Sequence, residues 1–96
     1  MFIVSLTYTS PLEEVDIHLE AHVAYLKEEY ANGSFVASGR KVPRTGGVIL
    51  SRLDSRAELE AVLAKDPFAQ AGIAEYEITE FVASMAASGF ENLKEI

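Results

Sequence analysis

An α+β sandwich built in the order βαββαβ is what three features of this 96-residue chain predict. Four stretches alternate or cluster branched apolar residues as strands do. Two others space their apolar residues by three and four, as helices with one buried stripe do. Turn residues stand between them. In that order the default arrangement is a ferredoxin-like split-βαβ sandwich, a four-stranded antiparallel sheet with both helices on one face. The length suits a single domain, 1–96, with a core of 1–83 and a C-terminal arm of 84–96.

Each element can be justified in turn. Phe2, Val4, Leu6 and Tyr8 face one way and Ile3, Ser5 and Thr7 the other, which makes the first strand. The first helix is expected over Pro11–Ala31, with Ser10 as N-cap, Pro11 at the first position and Glu13 completing a capping box. Its stripe reads Leu12, Val15, Leu19, Val23, Leu26 and Tyr30, and His22 projects from that stripe, not from the wet side. Asn32-Gly33 ends it. Ser34–Arg40 is a second strand, with Phe35 and Ala37 on one side, Val36 and Ser38 on the other, and a bulge or close backbone approach at Gly39.

Pro43 and the pair Gly46-Gly47 reverse the chain, and Val48–Leu53 forms a third, more central strand. Ser55 caps the second helix with Glu58 at the capping-box position, and Leu59, Val62 and Leu63 form its stripe. Asp66 continues the stripe but precedes Pro67, so the helix should break there. Pro67–Gly72 is a turn or short helical piece, and Glu75–Ala83 a fourth strand. Residues 84–96 are weakly patterned, an arm that docks on a partner or frays. Both parities of the first three strands hold apolar side chains, so the sheet face without helices is half apolar and invites a second copy, a homodimer.

Composition narrows the function classes. The chain is 49% hydrophobic and 24% charged, as ordered globular proteins are. No apolar run is long enough for a membrane span, and Met1-Phe2-Ile3-Val4 lacks the basic start of a signal peptide. Zero cysteines excludes thiolate chemistry and disulfides and fits a cytoplasmic location. A net charge of −7 argues against nucleic acid and anionic membranes as partners. Yet five of the eight basic residues, Arg40, Lys41, Arg44, Arg52 and Arg56, cluster in the middle of the chain. They read as a solvated hairpin or as a local site for a small carboxylate, phenolate or phosphate.

Three constellations bear on chemistry. His18 and His22 have metal-ligand spacing, but the segment is not H-E-x-x-H and no cysteine completes a set, so no metal is expected. The glycine turns match no phosphate-loop pattern. Finally, His22 and Asp66 are ionisable residues on otherwise apolar stripes. From pattern alone a satisfied core histidine and a helix-ending aspartate that never meet is the plainer reading. Were they to meet, the carboxylate would fix the imidazole tautomer and make it a competent acid–base group.

The runs His22–Leu26, Gly33–Gly39, Gly46–Leu50 and Asp66-Pro67-Phe68 together resemble the YciI-like (YCII-related) family, over nearly the whole chain to about Phe81. The resemblance implies a ferredoxin-like fold paired as a dimeric α/β barrel, and a histidine–aspartate site carried here by His22 and Asp66. It implies that Ser38 and Gly39 line the same pocket. Many relatives have proline directly after that glycine, where this chain has Arg40. The expected function is a cofactor-independent lyase or isomerase, dehydrochlorinase-like, acting on a small anionic cyclic or aromatic metabolite. His22 would move the proton, Asp66 orient it, Ser38 donate a hydrogen bond, Arg40 or Arg44 hold the anion, and Phe68 complete the pocket. The alternative is a dimeric module that binds a metabolite there without turnover.

Overall fold

A computed structural model describes residues 1–95. The strands are β1 (Phe2–Tyr8), β2 (Phe35–Arg40), β3 (Gly46–Ser51) and β4 (Ala74–Glu80), antiparallel throughout in the order β2-β3-β1-β4. Four helical pieces, α1 (Leu12–Ile17), α2 (Leu19–Ala31), α3 (Arg56–Leu63) and α4 (Pro67–Gln70), cover one face. This is the ferredoxin-like sandwich, with β3 more central than β2. Phe2, Val4 and Leu6 from β1, with Phe35 and Ile49, pack against Val15, Tyr25, Leu59, Leu63 and Phe68. Each such side chain contributes about 1.5–3 kcal/mol by leaving water. The second helix starts as expected: the Ser55 hydroxyl accepts from the Glu58 N–H at 3.1 Å.

The first helix departs from expectation. It is two helices, broken at His18, whose backbone lies at φ −101° and ψ 1°. The His18 N–H bonds Val15 O at 3.0 Å, a tight closure of the first piece, and His18 O accepts from His22 N at 2.9 Å to start the second. Ser10 does not cap; Pro11 holds the cap position without a side-chain bond. The break changes which residues face inward. His22, Tyr25 and Glu29 are the buried residues of α2, while Leu19, Val23 and Tyr30 from the expected stripe stay more than a third exposed. At the far end Gly33, at φ +80°, closes a Schellman motif: its N–H bonds Tyr30 O and the Ser34 N–H bonds Glu29 O.

The irregularity in β2 also lies elsewhere than expected. The register slips between Phe35 and Ala37, so the bulge is at Val36 and not at Gly39. Because one residue is skipped, Phe35 pairs with buried Ser51 and Ser38 with buried Ile49, and both face the helices. Without the bulge, Phe35 and Ser38 would lie on opposite faces. A Cβ at Gly39 would meet nothing, whereas one at Gly46 would lie 1.8 Å from Leu6 O. Gly46 and Gly47 are therefore strand residues, Gly46 letting β3 close on β1 and Gly47 lying against Gly39 O of β2, and the reversal itself spans Lys41–Thr45. Beyond β4 the chain folds back on itself. Glu95 N bonds Ala83 O at 2.8 Å, and the Glu95 carboxylate accepts from Ala83 N and the Met1 amine. Ile96, the end of the expected arm, lies outside the described residues.

Glu29, only 1% exposed, accepts from the Ser34 hydroxyl at 2.8 Å and from Lys65 Nζ at 2.9 Å. Burial opposes its charge, but the Lys65 and Ser34 bonds prevail and hold the carboxyl below its ordinary value. A carboxyl lowered on folding adds stability that is complete above the unfolded value of about 4.3 and is lost as pH falls through the folded value. Glu29→Gln is expected to flatten the acid side of a stability–pH curve, read as urea midpoints above and below that value. An unchanged acid slope would show that the ion pair does not contribute.

Candidate functional site

The site grows from a proline. Pro67 holds Asp66 in an extended conformation at φ −63° and ψ 126°, and at the first position of α4 it has no N–H to satisfy. The Asp66 carboxylate caps this short helix by accepting from the Phe68 N–H at 3.0 Å. It is fully buried, and two further groups reach it. His22 Nδ1 lies 2.7 Å from Oδ1, and the Tyr76 hydroxyl donates to Oδ2 at 2.6 Å. Asp66 accepts from the backbone and the phenol, so it is the acceptor for the imidazole too, and Nδ1 carries the proton. No buried side-chain nitrogen or oxygen lacks a partner among the described residues, and Nε2 has no partner among them. Nε2 is thus the accessible edge of the ring.

Packing holds the imidazole in that pose. The Phe68 ring stacks on it with centroids 3.9 Å apart and planes 5° from parallel, and Tyr8 meets Phe68 edge-on at 5.9 Å. Burial, followed by the hydrogen bond to Asp66, pushes the Tyr76 phenol far above its ordinary value; burial does the same for Tyr25, whose hydroxyl bonds Val62 O. Both remain neutral donors.

His22 opens on a cavity of about 490 Å³, a size that suits a small molecule. Leu6, Tyr8, Leu19, Val23, Leu26 and Phe68 give it apolar walls. Leu19 and Val23, exposed residues of the expected stripe, therefore line a site, while Val15 sits in the core and Leu26 packs against it. Ser38, Arg40 and Arg44 supply the polar wall. The Ser38 hydroxyl shares a hydrogen bond with that of Tyr30. Arg44 pairs with Asp16 at 2.6 Å and lies over the Tyr8 ring, whereas Arg40 forms no ion pair among the described residues.

The structure thus brings His22, Ser38, Gly39, Arg40, Arg44 and Phe68 around one cavity, with Asp66 behind His22. The remaining clustered bases stand apart: Arg56 pairs with Glu60, Arg52 with the carbonyl of Asn92, and Lys41 with Thr7. No cluster of histidine, aspartate and glutamate suited to a metal occurs among the described residues. Sequence reasoning missed Tyr76, Tyr30 and Glu29. The available signal for Tyr76 was a tyrosine at a core-facing strand position, whose hydroxyl needs a partner when buried.

Arg44→Ala should weaken binding of a hydroxybenzoate anion about tenfold, the size of one charge-assisted hydrogen bond, and leave the thermal midpoint unchanged. Calorimetric titration and a melting curve measure the two effects. Undiminished affinity, or an unfolded variant, would assign Arg44 to holding α1 through Asp16 instead.

Comparison with known proteins comes to the same architecture. A solved structure of 5-chloro-2-hydroxyhydroquinone dehydrochlorinase from Burkholderia phenoliruptrix AC1100, in complex with 2,5-dihydroxybenzoquinone, superposes with a TM-score of 0.70. It is 20% identical, and the match covers 84% of this chain and 93% of that one, which shows a shared fold. No curated protein sequence matches the chain. The model of the YCII-related domain matches residues 1–82, most of the chain. With a ferredoxin-like sheet already established, that match makes this chain a member of the YCII-related domain family.

Proposed function

We propose that this protein is a cofactor-independent acid–base enzyme of lyase or isomerase type, acting on a small anionic cyclic or aromatic metabolite. The observation that carries the reading is the imidazole itself: Nδ1–H is held by a buried carboxylate, and Nε2 opens on a cavity large enough for one ring. Such an imidazole is a base with a fixed tautomer. In an elimination, Nε2 takes a proton from the substrate, the freed electron pair forms the new π bond, and the leaving group departs with its own pair. In an isomerisation the same proton returns to a different atom. Asp66 steadies the imidazolium formed between these steps. Arg40, which forms no ion pair among the described residues, and Arg44 take the substrate anion, and Ser38 contributes a hydrogen bond. The dehydrochlorinase of the same fold supports the class of reaction.

Turnover in a panel of chlorinated hydroxyaromatics and lactones tests the reading. A substrate turned over by the protein should lose about 10²- to 10⁴-fold in kcat/KM on His22→Gln, the usual worth of a general base. Saturable binding without turnover across the panel would make the cavity a binding site only.

The active form we propose is a homodimer joined through the sheet face that carries no helix. Ile3 and Val48 are exposed there, and Leu50 pairs across the sheet with Ile3 and Ala37, giving an apolar band bordered by Glu75 and Glu77. The protein should sediment at about 21 kDa, twice the 10.5 kDa chain. A monomer at micromolar concentration would eliminate the paired-sheet arrangement.

A further inference from the structure

Asp66 is an awkward group to aim. Its carboxylate is fully buried, and the final torsion of an aspartate is broad and roughly two-fold. Two of its three donors, His22 Nδ1 and the Phe68 N–H, converge on Oδ1. Among the described residues only the Tyr76 hydroxyl holds Oδ2. Resting on the acid–base reading of His22, we infer that Tyr76 is a positioning residue: it pins the Asp66 carboxylate so that Oδ1 stays on His22 Nδ1.

The geometry gives Tyr76 this role for three reasons. It comes from β4, opposite Leu6, whereas His22 comes from α2 and Asp66 from the start of α4, so three separate elements meet at one carboxylate. A hydroxyl held this far from ionisation remains a donor throughout the pH range in which an imidazole works. Removing that oxygen leaves Oδ2 buried without a donor, and rotation of the carboxylate toward the two remaining N–H groups then competes with the His22 bond. The Nε2–H tautomer, which lacks a basic Nε2, gains population as the Nδ1 bond weakens.

Tyr76→Phe keeps the ring and deletes the oxygen. Nitrogen-15 NMR of the two imidazoles reads the tautomer directly, with His18, which has no carboxylate partner among the described residues, as internal reference. In the wild type His22 should be mainly the Nδ1–H form; in Tyr76→Phe the Nε2–H form should become substantial. With any substrate that is turned over, kcat should fall about tenfold, the size of one lost hydrogen bond, while KM changes little. An unchanged His22 tautomer in a folded Tyr76→Phe protein would overturn the proposal and leave Tyr76 as a tie between β4 and α4. Should the variant not fold, the wild type decides. A Tyr76 hydroxyl proton visible by NMR and slow to exchange with water supports the role, and exchange at the rate of a free phenol refutes it. Because the tautomer is read without substrate, a shift in Tyr76→Phe alongside no turnover would retire the enzyme reading and not the positioning role.

Discussion

Three polar rungs join one face of α2 to the chain between Val62 and Asp66, and the site depends on them. His22 reaches Asp66, Tyr25 bonds Val62 O at 2.8 Å, and Glu29 pairs with Lys65. Their spacing along α2, three and then four residues, is that of a single helix face. Elsewhere such a face would be apolar. Here it carries two carboxylate contacts, and each carboxylate is buried with several donors. Taking a carboxylate out of water costs on the order of several kcal/mol unless such donors replace the water. The satisfied network therefore selects one placement of α2 over neighbouring ones, because sliding the helix would strand Asp66 or Glu29.

The same placement makes the cavity. With the polar rungs turned toward α3 and α4, the apolar residues Leu19, Val23 and Leu26 are left facing the rim of the sheet. They meet Ser38 and Arg40 there, which the bulge at Val36 has brought onto the helix face of β2. Two local irregularities, the break at His18 and the bulge, thus act together. Each costs regular hydrogen bonding, and together they leave an imidazole edge facing a polar wall across an apolar space. Arg44, paired with Asp16 and lying over the Tyr8 ring, lines the cavity beside that ring.

Tyrosine is the residue type that links core and site. Tyr8 braces Phe68, Tyr25 ties α2 to α3, Tyr30 engages Ser38, and Tyr76 holds Asp66. In each case the ring packs as an apolar body while the hydroxyl or ring edge fixes a neighbour. The Phe68 ring, flat on His22 and edged by Tyr8, continues that scaffold to the reacting group.

The strand order, the Ser55 cap, the end of α2 at Gly33 and the break before Pro67 were all legible in the sequence. The cap, the glycine end and the break each depend on contacts within a few residues: a hydroxyl reaching an N–H three positions on, a glycine with φ +80°, a proline restricting its neighbour; the strand order follows from the succession of elements. The pairing of His22 with Asp66 came to notice through two ionisable residues on apolar stripes and a family motif, but their meeting is a contact across 44 positions of chain. Tertiary structure alone decided the break at His18, the bulge at Val36, the burial of Glu29 and the donation from Tyr76 to Asp66. An apolar stripe looks the same in sequence whether it faces a core or lines a cavity. Likewise, an inward tyrosine does not name its partner, because hydrogen bonds between elements depend on how the layers settle, which local periodicity does not encode.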